Sequence, residues 1–202
     1  MEATENKRGR PRKFCEEQAL LGALDLFLEQ GYEATSVDDL TERLGINKPS
    51  LYGAFGNKEE LFLKALSHYH SYYINFTDEL FSKGLPPKET IGKWLQWFIS
   101  NFKKQGNREG CLIVNSTSLC SEEDNPITKK IRSFHELNER LLTSYFKRCK
   151  KDGSLPANTK PEALSQFFNT LIQGMAVIAR AQGNTKSLNN IAETALAAWP
   201  QE

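Results

Sequence analysis

The sequence predicts an all-α protein, with an N-terminal three-helix unit of helix-turn-helix type and a larger helical bundle behind it, about nine helices in total. Three observations predict this. Apolar residues recur at i, i+3, i+4 and i+7 in almost every segment, while no stretch alternates convincingly with period two. Glycine, proline and cap-type residues fall at the ends of those stripes. At 202 residues, 39% apolar and 25% charged, the chain has the composition of an ordinary globular protein of one or two domains.

Each element has its own reason. Ala19, Leu20, Ala23, Leu24 and Phe27 give a helical stripe from about Glu16 to Gln30, stopped by Gly31. Ser36 and Asp39 stand at capping-box spacing and open a short helix that turns Val37, Leu40 and Leu44 inward before Gly45. Asn47 is a plausible N-cap for a third helix to about Phe55, where Pro49 is tolerated in the first turn. Asn57 and Glu60 repeat the capping-box spacing ahead of a long helix, Lys58 to about Ser82.

Gly84 to Pro87 is the strongest break in the chain, and Ile91, Trp94, Leu95, Phe98, Ile99 and Phe102 then line another helix that closes near Gly106. A short apolar piece, Cys111 to Leu119, precedes a long helix from Pro126 to about Asp152. Thr159 and Glu162 bracket Pro161 as a third capping box, and a final alanine-rich helix runs from about Ser187 to Trp199. The last two helices carry apolar residues on more than one face, which predicts burial against a partner as well as against the chain's own core.

Charge balance hides the informative feature. Lys plus Arg is 26 and Asp plus Glu is 25, and the first 66 residues hold nine basic against twelve acidic residues, so any anion-binding surface is a small patch. Basicity is local. Lys7, Arg8, Arg10, Arg12 and Lys13 contain no acid between them, and Gly45 to Lys58 carries two lysines and no acid. No run reaches the roughly 18 to 20 apolar residues of a membrane span, and Met1 to Lys13 has no apolar segment behind it, so neither insertion nor secretion is expected and a cytoplasmic location follows. Four scattered cysteines fit buried thiols in a reducing compartment.

Residues 35–58 carry the function. A short amphipathic helix, a turn hinged at Gly45 and a second short helix with small polar outward residues describe a helix-turn-helix. Lys48, Ser50 and Tyr52 are free to face a major groove, with Lys48 suited to guanine acceptors or phosphate, Ser50 small enough for close approach and Tyr52 offering a hydroxyl to phosphate. The helix starts at Ser36 and Asn57 present unpaired N–H groups as phosphate seats, which Lys58 reinforces. Gly9-Arg10-Pro11-Arg12 could lay Arg10 and Arg12 in a narrow minor groove.

Gly31-Tyr32-Glu-Ala-Thr35-Ser-Val-Asp-Asp-Leu40, with Leu44-Gly45-Ile46, Leu51-Tyr52, Phe55 and Lys58-Glu-Glu-Leu61, resembles the TetR family of bacterial transcriptional regulators over roughly residues 10–70. The resemblance implies a homodimeric, ligand-responsive repressor of a palindromic double-stranded DNA operator. Its parts would be a basic arm (1–13), a DNA-binding domain (14–60) and a ligand-binding and dimerisation domain (61–202), dimerised by the last two helices at about 160–183 and 187–199. It also implies roles: Thr35 and Ser36 at the phosphate-facing start of the second helix, Lys48, Pro49 and Ser50 on bases, Tyr52 on a phosphate, Lys58 on the DNA backbone. Gly53-Ala54 departs from the bulkier pair common in that family.

A small-molecule inducer would occupy a cavity in the second domain, for which Trp94, Phe98, Phe102, Cys111, Phe134 and Phe168 are the candidate wall. Two other readings stand beside this one: a redox or electrophile sensor acting through Cys111, and a small-molecule-binding protein that no longer reads DNA. His68, His70 and His135 make no metal cluster, and no cofactor motif or catalytic constellation is present, so no metal, cofactor or enzymatic activity is expected.

Overall fold

Capping residues set the first four helices of the computed structural model, which describes residues 15–104, 110–120, 124–182 and 185–201. Helix α1 spans Glu16–Gln30, α2 Val37–Leu44, α3 Lys48–Phe55 and α4 Lys58–Phe81. The Ser36 hydroxyl accepts from the Asp39 amide while the Asp39 carboxylate accepts from the Ser36 amide at 2.8 Å, closing the capping box read from spacing. Asn57 and Glu60 do the same for α4, and Asn47 accepts from the Ser50 amide at 2.9 Å to start α3. Gly45 takes φ 62°, a left-handed conformation that ends α2 at little steric cost only for glycine.

Five more α-helices follow among the described residues: α5 Pro87–Lys104, α6 Leu112–Asn115, α7 Pro126–Lys151, α8 Pro161–Gln182 and α9 Thr185–Ala197, with a turn of 3-10 helix at Ser116–Leu119. The capping box expected from Thr159 and Glu162 is not formed. Helix α8 begins at Pro161, so its cap is one residue later than the spacing implied, Thr159 Oγ1 has no hydrogen-bond partner among the described residues, and Glu162 pairs with Lys147 at 2.7 Å.

Apolar burial divides into two clusters. The first joins α1, α2, α3 and the start of α4 to Leu112, Ile113, Ile127, Ile131 and Phe134. The second joins the end of α4 to α5, the later part of α7, α8 and α9. Helices α4 and α7 therefore belong to both: Leu61, Phe62 and Leu66 pack in the first cluster while Tyr73, Leu80 and Phe81 pack in the second. Where the clusters meet, the buried His70 donates from Nε2 to Asn138 Oδ1 at 2.9 Å and stacks on Phe134 at 3.9 Å. Burial pushes its imidazole below the ordinary histidine value, so the joint is packed around a neutral ring.

Candidate nucleic-acid interface

Helix α3 is short, and its two faces are sharply different. Leu51 and Phe55 are buried against the first cluster, whereas Lys48, Pro49, Tyr52 and Gly53 are exposed on the opposite side. Ser50 is half-buried on the flank. Tyr52 is 47% exposed, a large ring left in solvent on a helix whose other aromatic is buried. Lys48 Nζ lies 2.6 Å from Asp38 Oδ1 on α2, and the carboxylate holds its ammonium above the ordinary lysine range. An exposed pair of this kind is weak and readily exchanged for another anion. Ser36 is exposed at the start of α2, its hydroxyl donating to Asp39 Oδ2 at 2.7 Å.

Two residues face the other way from what their sequence positions imply. Thr35 is fully buried, and its hydroxyl donates to the Gly31 carbonyl at 2.7 Å, so it closes the α1–α2 turn and is not a surface contact. Lys58 also turns inward: Nζ donates to the Tyr32 and Thr35 carbonyls, both at 3.0 Å, and sits 4.3 Å from the Tyr32 ring centroid. Lys64, further along α4, repeats the device, donating to the Phe55 carbonyl at 3.2 Å and so capping the end of α3. At the junction of α3 and α4, Gly56 (φ 81°) leaves room for the α4 cap, since a Cβ there would sit 1.8 Å from Glu60 Oε2. The turn-helix geometry is therefore fixed by α4. Arg10 and Arg12 lie outside the described residues.

These contacts make a specific prediction. Lys58→Met should cost about 1.5–3 kcal/mol in urea unfolding, because two carbonyls lose a charged donor. If Lys58 instead served a phosphate, stability would hold and the salt dependence of DNA binding would flatten by about one ion.

Behind the helix-turn-helix lies a cavity of about 260 Å³. Helix α1 contributes Leu21 and Leu24, and α4 contributes His68, Tyr69, Tyr72 and Tyr73. Trp97, Phe98 and Phe102 enter from α5, Cys111, Ile113 and Val114 from α6 and its cap, and Asn138 and Asn169 from α7 and α8. Of the residues expected to form its wall, Phe98, Phe102 and Cys111 are there. Trp94, Phe134 and Phe168 are not: Trp94 is fully buried with Nε1 donating to Thr77 Oγ1, Phe134 is stacked under His70, and Phe168 packs between Phe146 and Trp199. The tyrosines of α4 were the missed signal, an i, i+3, i+4 aromatic stripe with Tyr72 left 56% exposed. Burial pushes the Cys111 thiol up, which favours its protonated form and lends no support to a thiolate sensor.

No group of three or more metal-binding side chains occurs among the described residues, and no helix of theirs is long and apolar enough to cross a membrane.

Comparison with known proteins agrees with this geometry. Residues 19–65 match the family model of bacterial regulatory proteins of the tetR family, and residues 87–194 match the C-terminal domain of LmrA/YxaF-like transcriptional regulators. The HTH-type transcriptional repressor ComR of Escherichia coli K12 is 31% identical over 201 residues, 99% of this chain and 96% of ComR. The repressor BdcR of the same organism is 27% identical over 85% of this chain and 82% of its own. A cysteine-substituted form of the TetR family regulator CifR, solved with a 26-base-pair operator, superposes with a TM-score of 0.87 at 32% identity, covering 95% of this chain and all of CifR. Transcriptional regulators of this kind are not enzymes. With both halves matched and a relative aligned nearly end to end, the chain belongs to the TetR family of DNA-binding bacterial transcriptional regulators.

Proposed function

We propose that the protein is a dimeric repressor that holds a palindromic operator through α3 and releases it when a small molecule fills the cavity. The observation that carries this is the cavity wall itself. Leu21 and Leu24 belong to α1, the helix on which α2 packs, so a ligand touches the DNA-binding unit directly as well as the bundle behind it. Any ligand that fits better when α1 and α4 shift relative to α5 and α8 stabilises a second arrangement of the reading heads, and that differential affinity is all that release requires. In the dimer the two α3 helices must lie about one DNA turn apart, roughly 34–36 Å, so a small tilt of α4 in each subunit spoils both contacts at once.

Lys48, Pro49 and Tyr52 form the reading face, with Ser50 at its edge and Ser36 at the backbone-facing start of α2. Asp38 holds Lys48 until a phosphate or base acceptor replaces it. The repressor names of ComR and BdcR and the operator bound by CifR support the direction of control.

The test is a fluorescence-anisotropy titration with DNA from upstream of the protein's own gene. Lys48→Ala and Tyr52→Ala should each weaken specific binding by about 5- to 150-fold, which is 1–3 kcal/mol, with the melting temperature unchanged because both side chains are exposed. Wild-type affinity in both variants removes α3 as the reading helix.

A further inference from the structure

Resting on the reading of the cavity as the inducer site, we propose that its ligand is an uncharged molecule with a flat unsaturated ring and a hydrogen-bond-accepting oxygen. The charge state follows from the wall. None of the described residues lining the cavity is Asp, Glu, Lys or Arg. Burial pushes His135 below the ordinary histidine value and Tyr73 above the ordinary phenol value, so both sit neutral near pH 7. A carboxylate or ammonium taken from water into this space meets no carboxylate, ammonium or guanidinium among the described wall residues, whose other imidazole is His68, and a buried ion without a counter-charge is strongly disfavoured.

The ring follows from a preassembled aromatic slab. Trp97 stacks on Phe76 at 4.3 Å and 9°, meets the edge of Phe98 at 5.2 Å and 85°, and lies 5.6 Å from Tyr72. With Phe76 supporting one side of the indole and Phe98 bracing its edge, the slab is ordered before any ligand arrives. Flat partners take offset-stacked or edge-on places against such rings at little cost in freedom.

The acceptor oxygen follows from two amides. Asn169 lines the cavity, and its Nδ2 is buried with no hydrogen-bond partner among the described residues. Asn138, also on the wall, commits Oδ1 to His70 Nε2 at 2.9 Å, which leaves Nδ2 as its donor. A buried donor without a partner is costly, so a ligand oxygen that satisfies Asn169 Nδ2 gains more than the bond alone.

Calorimetry on the full-length protein with five probes decides the matter: acetylnaphthalene, naphthoate, naphthylmethylammonium, ethylnaphthalene and a straight-chain ketone. Acetylnaphthalene should bind at least about tenfold more tightly than either ion and about threefold more tightly than ethylnaphthalene or the ketone. Asn169→Leu should weaken acetylnaphthalene at least about threefold and leave ethylnaphthalene unchanged. Equal or tighter binding of naphthoate or the ammonium overturns the uncharged class while leaving the cavity a ligand site. Indifference to Asn169→Leu overturns the acceptor, and a ketone as tight as acetylnaphthalene overturns the ring. Should every probe stay silent, or acetylnaphthalene still bind once Val114→Trp has filled the space, the cavity reading itself fails.

Discussion

Phe62→Ala is expected to remove about 3–5 kcal/mol of stability, a large share of the 5–15 kcal/mol typical of a folded domain. Phe62 is fully buried at the start of α4 and meets Phe27 of α1 edge-on at 4.9 Å and Tyr32 of the α1–α2 turn at 4.7 Å. Tyr32 in turn carries the Lys58 ammonium on its face. Truncation opens a void under both rings, and the close neighbours Leu61 and Leu66 are committed to the same cluster, so the site collapses poorly. Urea unfolding should show the loss, and operator affinity should fall as well, because the turn held by Lys58 loses its floor. Phe62→Leu keeps most of the volume and should recover most of both. A loss under about 1 kcal/mol in Phe62→Ala would mean that the second cluster, and not this trio, sets the stability of the whole.

The pattern of what the sequence revealed follows from range. Caps are local: Ser36 with Asp39, Asn47 with Ser50, and Asn57 with Glu60 are each three residues apart, and all three form as their spacing implies. Thr159 with Glu162 has the same spacing and fails, because α8 starts at Pro161 and Lys147, on a different helix, takes the glutamate. Lys58 sits at a position where surface contact with DNA was the natural reading, yet its partners are carbonyls 23 and 26 residues earlier, a tertiary fact invisible to periodicity.

The cavity shows the same limit from another side. Trp94 and Trp97 are one turn apart on α5, but Thr77 receives the first indole in the core while the second faces the tyrosines of α4. A helical stripe marks which residues are apolar; a cavity is where their packing stays incomplete, and that depends on all six helices around it. Exposure was the more telling signal. The large apolar side chains exposed among the described residues are Leu21, Tyr52, Tyr72, Phe167 and Val177. Tyr52 lies on the proposed reading face, and Leu21 and Tyr72 line the cavity.

Phe167 and Val177 remain, and they lead to the second large effect: Phe167→Glu combined with Val177→Glu, which puts charge of one sign only on the stripe, should convert the proposed dimer to single subunits and abolish operator binding. Both lie on the outer side of α8, 45% and 55% exposed, with exposed Thr170 and Gly174 spaced between them at helical intervals. A Cβ at Gly174 would meet nothing within 4 Å, so the stripe offers a flat approach to another helix. Around a two-fold axis each substitution enters the interface twice, and a charge placed in an apolar contact without a partner costs several kcal/mol. The dimer dissociation constant should therefore rise at least about 100-fold, visible by analytical ultracentrifugation at micromolar concentration. The isolated fold should survive, because neither side chain is buried in its own subunit, and circular dichroism should show an unchanged helical signal. A variant that stays dimeric moves the interface away from α8. Separated subunits that still bind operator at wild-type strength would show that one reading head suffices, and the spacing of two heads could then no longer be what a ligand controls.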